Sequence, residues 1–241
     1  MIGASHNSIV WSLQARLAHC LVNPLGFTHD DHLGDMGIPL DVVRRFSAHE
    51  DFSGPLNKHV ARELGLLDLT PKCSSLAMMS DQSKARLAST LVSQSAADFG
   101  VLLRITAIAR LHKSISGLML KSHCQRIEAL FGEDAFDIAI REVAFFHACL
   151  GYESDEDQVF LCICNGEEAE ALQAVTLAGA EGLLAFVCAV DPGLEPLIRL
   201  RVSKDLNESL STRLRVMNGE QQDHYVQYLR RRMPQWRAFI D

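Results

Sequence analysis

Four consecutive residues, His29-Asp30-Asp31-His32, carry the side chains of this chain best suited to chemistry. A His-Asp pair holds a divalent metal and activates water when an upstream histidine and a distant aspartate complete the shell. His6 or His19 offers the upstream ligand. The spacing argues against this use. Gly26, Gly34 and Gly37 surround the pair, so the stretch is expected in a loop rather than on a helix that would aim both side chains inward. His29 and His32 also miss the i, i+4 spacing of two zinc ligands on one helical face. Exposed loop residues, with Asp30 or Asp31 capping a helix, account for the same letters.

Other reactive groups are scattered. The seven cysteines stand at 20, 73, 124, 149, 162, 164 and 188, with no Cys-x-x-Cys among them. That pattern suits a reducing compartment, where a thiol in an apolar run acts as a small hydrophobe. Cys162 and Cys164 would share one face of a strand, but a second ligand pair at zinc spacing is missing. Cys149 lies two residues from His147, a spacing that does not let the two face each other on a helix. The sequence contains no Gly-x-Ser-x-Gly, no phosphate loop and no Gly-x-Gly-x-x-Gly. Arg230-Arg231-Arg232, with Tyr228 before it and Trp236 after it, reads as an RNA contact, a docking surface or a solvated helix end. No catalytic residue, cofactor site or metal site is expected.

The elements that would position these residues are helical. Ile9, Leu13, Leu17 and Leu21 form one stripe of a helix over 5–22, stopped by Asn23-Pro24. Leu40 to Phe46 makes a turn or two, ended by Gly54-Pro55, and Leu56, Val60, Leu64 and Leu67 recur at helical spacing. Thr70-Pro71 and Ser80-Asp81 read as helix starts, the second followed by Leu87, Leu91 and Val92. The apolar pattern runs past Gly100 to Leu111. Ser122 to Gln125 matches a capping box, Gly132 a helix end, and Asp134 a cap for a helix burying Phe136, Ile140, Val143 and Phe146. Val159 to Cys164 is the one strand-like run. Glu167 to Val190 is helical, loosened at Gly179 and Gly182, and Asp191-Pro192-Gly193 is a turn. A last helix covers Gln221 to Phe239 with a break at Pro234. The fold class expected is mainly α, an irregular multi-helix globular fold with at most a minor β element near 159–164. Gly151 to Asp157 is the expected boundary between a helical region 1–150 and a helical region 151–241, which could also be one continuous domain.

Bulk properties narrow the function. At 48% hydrophobic and 22% charged, the composition is that of a globular protein. No basic segment precedes the first apolar residues, as a secretory signal would require. The most apolar stretch, Val175 to Val190, contains Glu181 and falls short of the roughly 20 residues of a bilayer span. It is expected as a buried helix. Net charge is −7, yet from Arg199 onward nine Lys/Arg face five Asp/Glu. An acidic body with a basic tail repels phosphate backbones and suits an acidic protein partner.

Four segments in order suggest a family. Pro24, Phe27, His29 and Leu33 fall at Pro-x-x-aromatic-x-His-x-x-x-Leu. Leu56 to Leu66, Phe99-Gly100 through Arg104 and Arg110, and Leu130 to Phe136 follow. Together they resemble the type III secretion sorting-platform adaptor family (SctK, also called YscK, PscK, MxiK or OrgA). Two positions depart from its pattern: Phe27 stands where the family often has Tyr, and Asp30 where it often has Pro. The resemblance implies a non-enzymatic, cytosolic, mainly helical adaptor of a bacterial virulence machine. Such adaptors join the C-ring-like pod protein to the cytoplasmic domain of the inner-membrane ring protein, at the cytosolic face of the inner membrane and without touching nucleic acid. On that reading His29, Asp30, Asp31 and Asp35 meet one partner, and Arg230, Arg231, Arg232 and Trp236 the other. His29 itself is expected to pack or cap. A helical HD-type metal-dependent phosphohydrolase using His29 and Asp30 is the alternative.

Overall fold

A computed structural model describes residues 2–69, 82–151 and 157–236, with the side chains of 2–10, 82, 157 and 158 left aside. Thr70-Pro71, Cys73, Ser80-Asp81, most of the acidic 151–157 segment, the chain end beyond Trp236 and the side chains of His6 and Ile9 lie outside that description. The described residues form helices and turns, with no strand among them. The mainly α expectation holds.

The minor β element does not. Val159 to Cys164 lies within the helix Asp157–Asn165. A six-residue apolar run has no period of its own, and here one side is buried (Val159, Ile163, Cys164) while Leu161 and Cys162 are exposed. That is helical phase. The helix ends at Asn165, just before Gly166.

The chain forms two compact units, and neither is one continuous segment. The first unit comprises 1–96, 190–208 and 236–241; the second comprises 97–189 and 209–235. A cut at 150/151 falls inside the second unit.

In the first unit, the helix Ile2–Val22 buries Leu13, Leu17, Cys20 and Leu21. Pro24 then opens a short 3-10 turn, Pro24–Gly26. The helix Glu50–Glu63 runs straight through Gly54-Pro55, which the sequence reading treats as a break. Its Pro lies in the second turn, and the preceding helix, Leu40–Ser47, has already ended. The end comes instead at Gly65, whose φ of 66° places it in the left-handed region that closes a helix. Leu25, Leu33, Val43 and Val60 form one core, with Met36, Ile38, Leu40, Leu56 and Leu64 packed around it. Asn57 ties the turn to this helix: its Oδ1 accepts from Leu25 N at 3.2 Å while its Nδ2 donates to Ser53 O. The helix Gln82–Val92 adds Leu87, Leu91 and Val92 to the buried set. It stops before the helix Ala96–Ser116, so the apolar pattern spans two helices.

In the second unit, Ala96–Ser116 and Glu168–Val190 pack closely. Gly179 and Gly182 permit the approach rather than loosening the helix. A Cβ on Gly179 would stand 2.2 Å from Leu103 O, and one on Gly182 2.5 Å from Thr106 Cγ2. Glu168–Val190 is the one described helix long and apolar enough to cross a bilayer, and 72% of its most apolar window is buried against protein. Its Glu181 carboxylate accepts from Arg110 Nη2 at 3.3 Å and lies 3.6 Å from Arg213 Nε. The helix Gly219–Arg232 completes the core through Tyr225 and Tyr228, whose hydroxyls meet Thr106 Oγ1 (2.8 Å) and Ile105 O (2.9 Å).

Two expected caps are absent. The helix Lys121–Phe131 has Leu120 at its N-cap position, so Ser122 lies inside it and makes no box. Asp134 stands at a cap position with no side-chain cap bond and pairs with Arg232 instead. Past Asp134 the buried positions are Ala135, Ile138, Ala139 and Val143, while Ile140 and Phe146 are exposed. A π-helical turn, Ile138–Val143, shifts the phase that a regular helix would have kept.

Candidate functional site

The stretch that opened the sequence reading belongs to the first unit. Asp30 to Gly34 is a one-turn helix, not a loop. Its cap is His29 rather than Asp30 or Asp31: His29 Nδ1 accepts from Asp31 N at 3.3 Å. Leu33 points into the core, fully buried. The polar side chains face the segment that returns at 190–208. His29 N donates to Leu200 O at 2.7 Å, and His32 Nε2 donates to Val202 O at 2.9 Å. Asp31 Oδ2 accepts from Lys204 N at 3.4 Å, and Asp35 pairs with the Lys204 ammonium. Asp30 pairs with Arg44 of Leu40–Ser47.

Arg201 locks the returning segment. Its guanidinium donates to Val92 O (3.1 Å) and Gln94 O (2.6 Å), and it lies 6.0 Å over the Phe27 ring. Burial lowers its pKa to about 10, and it stays charged at neutral pH. Arg199 bonds Glu195 Oε1 (2.6 Å) and Asn207 O (3.3 Å), while Asn207 Nδ2 returns a bond to Arg199 O (2.7 Å).

Pro24, Phe27, His29 and Leu33 thus act as one structural latch: turn, cation stack, cap and core plug. The acidic residues beside them are largely neutralised within the unit. His19, the suggested upstream ligand, sits with its Nδ1 3.1 Å from Asn23 Nδ2. Among the described residues, the His/Cys/Asp/Glu group close enough to share an ion does not include His29, Asp30 or His32.

The basic tail divides. Arg230 to Arg232 belong to the second unit, and Trp236, only 3% exposed, to the first. Arg232 is held by Glu142 and by Asp134 at 3.5 Å. Arg230 is half-buried. Arg231 is exposed, its guanidinium 5.1 Å over the Phe146 ring.

Sequence reasoning missed the exposed aromatic side chains. In the first unit Phe46 and Phe52 stack edge-on at 5.0 Å, with His49 5.2 Å from Phe52. In the second unit Phe145 is 77% exposed, next to the half-exposed Phe146 that carries Arg231. The sequence signal is the clustering of Phe with charged residues at helix ends, whereas periodicity places Phe146 in the core.

Comparison with known protein families, curated proteins and solved structures finds no match to this chain.

Proposed function

We propose that this chain is a protein–protein adaptor of the type III secretion sorting platform, linking the pod protein to the inner-membrane ring protein. The observation that carries the reading is the latch. The residues of the resemblance motif hold the first unit together through a cap, backbone bonds and core packing, and the acid–base groups among them are engaged in those contacts. An HD-type phosphohydrolase would need His29 and Asp30 turned toward a common metal, whereas His29 caps a helix and Asp30 pairs with Arg44.

Binding would use the aromatic side chains left in solvent. Aromatic residues and arginine anchor protein interfaces because they bury large area with few rotors, and a charged rim sets orientation. Phe46 with Phe52, and Phe145 with Phe146 and Arg231, have that composition. Asp31, Asp35 and Arg232 contribute by shaping the surface rather than by offering free charge.

Co-purification tests the reading. The intact chain, mixed separately with the pod protein and with the cytoplasmic domain of the inner-membrane ring protein, should retain both. Failure to retain either partner would overturn it.

A further inference from the structure

Three side chains of the second unit, Cys149, Glu220 and His224, each place one ligand atom within 4.8 Å of the other two. The helix Gly219–Arg232 supplies two of them by spacing, since Glu220 and His224 are i, i+4 and share a face. Cys149 comes from the 3-10 turn Ala148–Leu150. Gln221 joins the two elements. It forms a capping box with Asn218 (2.9 and 3.1 Å) and donates from Nε2 to Cys149 O at 3.0 Å. His147 closes the group from behind: its Nδ1 lies 3.2 Å from His224 Nδ1, with the rings edge-on at 78°. His147 is 1% exposed, and its Nε2 has no hydrogen-bond partner.

We propose that Cys149, Glu220 and His224 bind one zinc ion, with His147 positioning the His224 ring. Thiolate and imidazole favour a borderline-soft ion over magnesium or calcium, and three protein ligands leave a fourth tetrahedral position for water. Zinc bonds of about 2.0–2.3 Å set tetrahedral ligand atoms roughly 3.2–3.6 Å apart. The present upper bound of 4.8 Å leaves about 1.2–1.6 Å for the three side chains to close on the ion. On binding, the Cys149 S–H bond breaks, its proton passes to solvent, and the sulfur electron pair forms the bond to zinc. One thiolate and one carboxylate then neutralise the dication, so the half-buried site carries no net charge. The ion would pin the Ala148–Leu150 turn to the start of the last long helix, whose register Gln221 already fixes. This site is independent of the adaptor reading, and its failure would leave that reading untouched.

Cobalt titration tests it. The chain is stripped of metal by a chelator under reducing conditions and titrated with Co2+. One equivalent should bind with a thiolate-to-cobalt charge-transfer band and visible bands of tetrahedral intensity, both removed by Zn2+. Cys149→Ser, nearly isosteric, should abolish the charge-transfer band, and Glu220→Gln, at an exposed position, should weaken binding. His147→Gln should keep the band and lower affinity about 10–100-fold, as loss of an outer-shell partner does. No stoichiometric uptake by the intact chain, or an undiminished band in Cys149→Ser, overturns the site. Unchanged affinity in His147→Gln overturns the positioning role.

Discussion

Burial decides what individual side chains do in this protein. Arg201 is a buried guanidinium, and its fork satisfies two backbone carbonyls at the end of the Gln82–Val92 helix, those of Val92 and Gln94. A charged donor to a buried acceptor is worth about 1.5–3 kcal/mol, and a lysine cannot reproduce the planar fork. Arg201→Lys should therefore cost on the order of 2 kcal/mol in urea unfolding, and Arg201→Met more, because both carbonyls lose their donor. A variant within about 0.3 kcal/mol of the parent, the scatter seen for uncoupled surface changes, would show that water replaces the fork. His112 gives a pH effect. Desolvation lowers its pKa below 6.5, while its Nδ1 contact with Ala109 O opposes the shift and the neighbouring Lys113 adds to it. The unfolded chain then binds the proton more readily than the folded one. Stability contributed by neutral His112 is full above pH 6.5 and is lost as pH falls toward the folded value. Unfolding free energy measured from pH 7.5 down to 5 should decline, and His112→Gln should make that decline shallower, the remainder coming in part from His147, whose burial lowers its pKa to about 4. A parent profile that is flat over this range would contradict the assignment.

At the scale of helix packing, the sequence shows which side of a helix is buried but not how closely two helices approach. Stripes such as Leu13, Leu17 and Leu21, or Tyr225, Tyr228 and Leu229, are legible because one buried side repeats at the helical period. The turn at Asp191-Pro192-Gly193 is legible too, with Asp191 Oδ1 accepting from Gly193 N at 2.9 Å. The π-helical turn at Ile138–Val143 is not, since an inserted residue leaves the letters unchanged and moves the phase. Nor is the meaning of Gly179, because a close approach depends on the partner helix. The glycines now separate by environment. Gly179→Ala must push against Leu103 backbone atoms and should destabilise by roughly 1–3 kcal/mol or more, the cost of overpacking. Gly100→Ala, in the second turn of Ala96–Ser116 with open space around its Cβ, should stabilise by about 0.4–1 kcal/mol. Thermal unfolding of the two variants against the parent checks the pair, and equal shifts would refute the close-packing account.

At the scale of the whole molecule, the chain leaves its first unit at residue 96, returns at 190, leaves again at 208 and returns at 236. This path explains why neither candidate site was fully legible. The latch joins residues near 30 to residues near 200, and the cysteine–carboxylate–imidazole group joins residue 149 to 220 and 224. Local spacing carries no information about such pairs. Nor could it show that His224 arrives beside Cys149 from another helix. Each unit has its own core and its own exposed aromatic pair, and the proposed linker would use one pair for each partner. Surface substitutions in one unit should then act on one partner alone. Phe46→Ala with Phe52→Ala should weaken retention of one partner at least tenfold and leave the other within twofold. Phe145→Ala with Phe146→Ala should do the reverse, because truncating an interface anchor costs about 2 kcal/mol or more while non-contacting exposed positions cost little. Equilibrium binding of each variant to each partner reads this directly. Circular dichroism matching the parent should accompany both variants, since all four side chains are at least 40% exposed. If both variants lose the same partner, or both keep both, the aromatic pairs are not the two faces of a linker.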